Sequence, residues 1–204
     1  MGLYRDQVLP RVTDVAMSRR ELTAIRARVA AELDGRVLEV GFGSGRNVPH
    51  YPPAVEHVQA VDPSVVGRAL AHKRVSASAI AIEFVGLDGE HLPIEDISVD
   101  HVLTTWTLCT IPDPHGALTE IRRVLRTGGG LHFVEHGRAP EKKIARQQDR
   151  FTPLQRRIFG GCHLNRPIEA LIADAGFRIE HLDNYYASGP KMFGYMYEGV
   201  AIKP

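Results

Sequence analysis

The chain has 204 residues, 25 basic and 24 acidic, for a formal net charge of +1, with 44% apolar and 24% charged residues. That balance is ordinary for a globular fold and argues against a protein that grips nucleic acid through bulk charge. No apolar run approaches a membrane span, residues 1–10 hold no secretory apolar core, and Cys109 and Cys162 are too few for a disulfide framework. A single domain over residues 1–204 is expected, in a reducing cytoplasm with both thiols free.

Ser18-Arg19-Arg20-Glu21 reads as a capping box, and Leu22, Ile25, Val29 and Leu33 follow at helical spacing up to Asp34-Gly35. Residues 36–40 are a short β-branched run, a buried strand, and a glycine loop follows at once. Residues 58–61 form a second strand ending in Asp62, and residues 65–74 a helix. Residues 80–85 and 100–105 are the third and fourth strands. Asp113 as N-cap and Pro114 at the first helical position open a helix striped by Leu118, Ile121 and Leu125. Thr127-Gly128-Gly129-Gly130 closes it, and residues 131–136 are the fifth strand. Pro167 opens another helix, stopped at Gly176, before two last strands at 177–182 and 195–202.

Strands alternating with helices predict an α/β fold, a doubly wound, mostly parallel sheet of seven strands. Twelve residues separate the last two strands, too few for an easy crossover helix, so the last strand should run antiparallel. Residues 137–164 hold no clean strand. Between Arg138 and Arg157 lie seven basic and two acidic residues, a local charge of +5. Such an insertion at the C-terminal edge of a parallel sheet reads either as a lid or as a solvated amphipathic helix. As a lid it would act together with the N-terminal helical segment, residues 1–35.

The most informative stretch is Val37-Leu38-Glu39-Val40-Gly41-Phe42-Gly43-Ser44-Gly45. Glycines at a strand end let the backbone turn sharply and approach a ligand. Asp62 lies 21 positions after Gly41, where a carboxylate can accept both ribose hydroxyls of an adenosine. A dinucleotide site prefers glycines at positions one, three and six; here Gly41, Gly43 and Gly45 fall at one, three and five, and Arg46 is sixth. Pro49, Pro52 and Pro53 also interrupt the full-length helix that would face a pyrophosphate. Glu39 suits a cationic amino group. The pattern favours S-adenosyl-L-methionine, which has an amino-acid end and a sulfonium but no phosphate. Asp88 after the third strand can accept from an adenine amino group, and the Gly89 N–H can donate to the ring; an ordinary Asp-Gly turn is the competing reading. Thr105 and Trp106 close the fourth strand beside this pocket.

These residues resemble the class I S-adenosylmethionine-dependent methyltransferases. The resemblance rests on Glu39-Val40-Gly41-Phe42-Gly43-Ser44-Gly45, Asp62-Pro63-Ser64, Glu90-His91-Leu92-Pro93 and Arg123-Val124-Leu125-Arg126-Thr127-Gly128-Gly129. It implies cofactor contacts from Glu39, the loop glycines, Asp62, Pro63, Asp88, Gly89 and Thr105. Thr107-Leu108-Cys109, Phe133-Val134-Glu135-His136 and Gly161-Cys162-His163-Leu164-Asn165-Arg166 resemble a narrower branch, that of the microsomal alkyl thiol S-methyltransferases and of bacterial relatives labelled phospholipid N-methyltransferases. The microsomal proteins carry an apolar anchor, where this chain has Tyr4-Arg5-Asp6-Gln7 leading into polar helices. Membrane residence therefore does not carry over, and contact with a membrane surface is possible but not expected.

The branch implies a small-molecule acceptor, with sulfide or a small thiol favoured. The alternatives are N-methylation of a phospholipid headgroup, a nicotinamide-dependent oxidoreductase, and a binding module without catalysis. His136, at the C-terminal end of the fifth strand, is the first candidate base, and His163 the second. Glu135 is expected to anchor backbone or a lid arginine. Cys109 and Cys162 read as packing residues. The ten histidines are scattered without metal-ligand spacing, so no metal is expected. Tyr185, Tyr186, Tyr195 and Tyr197 are expected to wall the acceptor side or to pack on the strand faces.

Overall fold

A computed structural model describes residues 2–204. Seven strands form one sheet in the order β3-β2-β1-β4-β5-β7-β6. They are β1 (Gly35–Val40), β2 (Val55–Val61), β3 (Ala81–Gly86), β4 (Val99–Thr105), β5 (Leu125–His136), β6 (Arg178–Tyr186) and β7 (Tyr195–Ile202). Strand β7 is antiparallel to both β5 and β6, and the other pairings are parallel. A parallel β6 beside β7 would need a crossover helix, and the intervening chain holds only the four-residue α7 (Lys191–Gly194).

The helices α1 (Leu9–Ala16), α2 (Arg20–Ala30), α3 (Val65–Ser76), α4 (Pro114–Val124), α5 (Lys142–Ile158) and α6 (Ile168–Asp174) complete the fold. A wide helical turn, Tyr4–Val8, precedes α1. The strands alternate between two cores. Val102, Leu131 and Phe133 join Leu118, Ile121 and Val124 of α4 and Ile168 and Ile172 of α6. Leu103 and Val134 face the other way, onto Ile25 and Val29 of α2 and Ala71 of α3. Each fully buried side chain of this size stabilises by about 1.5–3 kcal/mol relative to exposure.

Side-chain caps hold two helix starts, the Asp113 one as expected from the sequence. The Asp113 side chain accepts from His115 N–H with Pro114 behind it, and the Ser64 side chain accepts from Gly67 N–H. The capping box at Ser18 does not form. Ser18 Oγ bonds back to the Val15 carbonyl at the end of α1, so α2 starts at Arg20 without a side-chain cap. Helix α4 ends at Val124, before the glycine run, because Leu125 is already extended and belongs to β5. The basic insertion is α5, docked through the buried Gln148: it accepts from Ala139 N–H at 2.9 Å and donates to the Gly137 carbonyl at 2.9 Å.

Candidate active site

The C-terminal end of β2 and the turn after β4 meet the glycine loop that follows β1. Gly41 has φ +82° and Gly43 φ +54°, a region that L side chains rarely adopt. The two glycines serve different ends. A Cβ on Gly41 would lie 2.0 Å from Thr107 Oγ1, so Gly41 lets the loop pass under the turn after β4. A Cβ on Gly43 would meet only the Gly41 carbonyl, at 4.0 Å, which leaves an open cradle over the backbone. A Cβ on Gly45 would press on Ala71 and Phe42 at 3.2 Å, a helix-packing role.

Asp62, at the end of β2, accepts from Gly43 N–H and from Ser64 N–H, each at 2.7 Å. A carboxylate offers about four lone-pair sites, so both oxygens retain capacity for ribose hydroxyls. Burial raises its carboxyl above the usual range, against the opposing pull of the two N–H bonds. Pro63 beside it is exposed. Asp88 accepts from Glu90 N–H at 2.8 Å and contacts His91 Nδ1 at 3.1 Å. Gly89 is buried, its Cα within Cβ reach of Val40 and Ile111, which sets the Asp88-Gly89 turn over the end of β1. The open cradle at Gly43, the Asp62 carboxylate and this turn fit a nucleoside with an amino-acid tail and no phosphate.

Glu39, expected to contact the cofactor, is engaged by neighbouring side chains. Its side chain is buried, and its oxygens accept from Asn47 Nδ2 at 2.8 Å and from the Tyr51 hydroxyl. Asn47 Oδ1 in turn accepts from Arg26 Nη1 at 2.8 Å, and Thr105 Oγ1 accepts from Arg26 Nη1 at 2.8 Å and Asn47 Nδ2 at 3.1 Å. Thr105 thus belongs to a buried polar network beneath the site. Burial pushes the Glu39 carboxyl up to about 7, opposed by Tyr51, Asn47 and Arg26. Arg26 also stacks over Trp106, 4.7 Å from its ring centroid. Trp106 itself has φ +54°, a strained conformation for a bulky residue and one that marks functional sites.

Past Trp106 the chain is fixed by Glu135. Its buried carboxylate accepts from three successive N–H groups, Thr107 at 2.9 Å, Leu108 at 3.0 Å and Cys109 at 3.1 Å. Arg166 donates to the Leu108 carbonyl, and His163 N–H to the Cys109 carbonyl at 2.7 Å. Cys109 and Cys162 thereby meet at the end of β5, where Cys162 Sγ lies 2.9 Å from His136 Nε2. Of the two candidate histidines, the structure brings His136 into this group. His163 contributes its backbone, while its ring Nδ1 is buried without a partner. The neighbouring Cys109 thiol holds the Cys162 thiol well below its ordinary range, with His136 adding to the shift against burial.

Of the tyrosines, Tyr186, Tyr195 and Tyr197 form an edge-to-face ladder with centroids 5.0 and 5.4 Å apart. Tyr185 leaves this group to donate to Glu198. Two features have no linear signature: the Arg26-Asn47-Tyr51 network, and a clasp at Asp14. Asp14 of α1 accepts from Ser44 Oγ at 2.6 Å and Arg46 Nε at 2.9 Å, tying the N-terminal segment onto the glycine loop.

Comparisons with known proteins identify the family. Residues 38–133 match a methyltransferase domain family. Thiol S-methyltransferase TMT1B of Rattus norvegicus is 35% identical over 151 residues, covering 72% of this chain and 62% of that protein. The chain thus spans about three fifths of that relative's length. Phosphatidylethanolamine N-methyltransferase of Cereibacter sphaeroides is 26% identical, covering 76% of this chain and 77% of that protein. The structure of a geranyl diphosphate methyltransferase in complex with SAM superposes with a TM-score of 0.72 at 16% identity, over 100% of this chain and 92% of that one, a likeness of fold. The chain belongs to the class I methyltransferases, the family whose cofactor is S-adenosyl-L-methionine.

Proposed function

We propose that this protein transfers the methyl group of S-adenosyl-L-methionine to a small acceptor, with sulfide or a small thiol as the favoured acceptor. The observation that carries the reading is the cluster of two sulfurs and an imidazole, Cys109, Cys162 and His136, gathered beyond the ends of β4 and β5. Soft, polarizable groups suit a sulfur acceptor, and the 35% identity to a thiol S-methyltransferase supports the same choice.

The bound cofactor supplies a methyl group already activated by its sulfonium. The chain supplies position and dryness. The Gly43 cradle, Asp62, Pro63, Asp88 and Gly89 hold the nucleoside and its tail, while Glu39 and Thr105 stiffen the floor through Asn47 and Arg26. Glu135 fixes the turn that carries Cys109 opposite Cys162 and His136. Alignment of this kind supplies roughly 7–11 kcal/mol of barrier lowering. A thiol of pKa about 8.5 is already a few per cent thiolate near pH 7, so positioning, more than a strong base, drives the step. We assign His136 to the acceptor side, and His163 to holding the Cys109 turn. The two free thiols fit a reducing compartment such as the cytoplasm.

The test is release of S-adenosylhomocysteine across sulfide, small thiols, a phenol, an amine and phosphatidylethanolamine vesicles. Thiol-dependent release is expected. Cofactor binding with silence on every thiol would sink the acceptor assignment.

A second reading, N-methylation of a phospholipid headgroup, is favoured by one observation. Both candidate lid elements expose large apolar side chains, Val12 and Val15 on α1 and Phe151 and Leu154 on α5, beside the basic residues of α5. No helix among the described residues is long and apolar enough to cross a membrane. Co-sedimentation with anionic vesicles, together with vesicle-dependent turnover, would establish this reading in place of the first.

A further inference from the structure

Three groups with metal-binding chemistry meet here from three separate parts of the chain. Cys109 comes from the turn after β4, His136 is the last residue of β5, and Cys162 follows α5. One ligand atom from each lies within 4.8 Å of the others, and both cysteines are buried. The backbones that carry them are tied together by hydrogen bonds. Glu135 grips Cys109 N–H, His163 N–H holds the Cys109 carbonyl, and Gly137 N–H, next to His136, is paired with Tyr195 at 3.0 Å. His136 Nδ1 is buried without a partner. A disulfide between the cysteines would leave His136 without a role, and a Cys162–His136 pair would leave Cys109 without one.

We propose that Cys109, His136 and Cys162 form a three-ligand site for one borderline-soft divalent metal ion of the zinc class, with a coordination position left for an exogenous ligand. Two thiolates and an imidazole are a preferred donor set for such ions, and three protein ligands with one open position is the arrangement of catalytic zinc sites. Metal bonds of about 2.0–2.3 Å set ligand atoms roughly 3.3–3.8 Å apart in a tetrahedron. The separations here, from 2.9 Å to at most 4.8 Å, bracket that range, within reach of small side-chain rotations. Binding forms two metal–sulfur bonds and one metal–nitrogen bond. It releases the Cys109 thiol proton and the proton shared by Cys162 and His136, two protons per ion, with no change of oxidation state. The expectation of no metal came from linear spacing, which does not register ligands 26 and 27 residues apart brought together by strand order. Resting on the thiol reading above, the open position would take the acceptor's sulfur as thiolate, the acceptor's thiol proton passing to solvent.

The test uses the full chain, reduced and stripped by chelator, titrated with Co²⁺ in the absence of cofactor and acceptor. The expected result is one Co²⁺ per chain, an intense thiolate-to-cobalt charge-transfer band, two protons released, and displacement by Zn²⁺. Cys109→Ser and Cys162→Ser should each weaken binding at least about tenfold and lower the band, and His136→Gln should shift the ligand-field bands. Circular dichroism and calorimetry with S-adenosyl-L-methionine check that each variant folds, with Cys109→Ala as the second variant at the most buried position. Absence of uptake, uptake unchanged in both cysteine variants, or a Cys109–Cys162 disulfide that takes no metal after reduction would each overturn the site. A cobalt site that forms while no thiol is methylated supports the site and overturns the thiol acceptor instead.

Discussion

At the scale of single residues, carboxylates organise this protein more than histidines do. Asp62, Glu39 and Glu135 are all buried, and each is satisfied by different donors: two backbone N–H groups, two side chains, and three backbone N–H groups. Their roles follow from what is left over. Asp62 keeps free lone pairs at the strand end beside the Gly43 cradle, so it is the one placed to take a ligand. Asp62→Ala should weaken cofactor binding by about 1–3 kcal/mol, the cost of orphaning hydrogen-bonded groups. Calorimetry with S-adenosyl-L-methionine measures this directly, and an unchanged affinity would remove Asp62 from the site. His136→Ala has a different signature. It should lower turnover with a thiol acceptor and leave cofactor affinity intact, and a rate within about twofold of the parent would make His136 irrelevant to the chemistry.

Among elements, two carboxylate clasps add ties beyond the strand pairing. Glu135 of β5 holds the turn after β4, and Asp14 of α1 holds the glycine loop. In Glu135→Ala, three buried N–H groups lose their acceptor at once. At about 1–3 kcal/mol for each orphaned group, the loss should be roughly 3 kcal/mol or more in urea unfolding. A loss under about 1 kcal/mol would show that water replaces the carboxylate without penalty. The Asp14 clasp is weaker because it lies nearer solvent. Burial raises the Asp14 carboxyl, but hydrogen bonds from Ser44 and Arg46, with the charges of Arg46 and Arg74, outweigh it and hold it below the ordinary range. Asp14→Ala should release α1 locally, with about fivefold faster hydrogen exchange over residues 9–16, equivalent to about 1 kcal/mol. Exchange at the parent rate would mean that α1 is held by its other contacts, including the Tyr4 hydroxyl on the Ile158 carbonyl.

For the whole molecule, what the sequence reveals divides by range. The alternation of strands and helices, the reversed last strand and the glycine loop with Asp62 are legible because each is a local pattern or a fixed spacing. The sulfur–imidazole cluster and the Arg26-Asn47-Tyr51 network are not, since tertiary folding alone brings residues 26, 47, 51 and 105 around Glu39. Even the Ser18 capping box, a local signal, loses to a nearer acceptor at the end of α1. That network has a global consequence. The Glu39 carboxyl has an ordinary value of 4.5 and is pushed up to about 7 by burial, in spite of Tyr51, Asn47 and Arg26. Between those two values the native chain keeps a proton that the unfolded chain releases. The stability Glu39 contributes is therefore fully present below pH 4.5 and is lost as pH rises through about 7. Glu39→Gln, neutral at every pH, removes this slope. Urea midpoints at pH 5 and pH 8 should show the parent losing up to about 3 kcal/mol more than Glu39→Gln across that interval. Parallel profiles for the two proteins would mean that Asn47, Tyr51 and Arg26 keep Glu39 ionised throughout, and that the floor of the site is an ion-paired network rather than a protonated one.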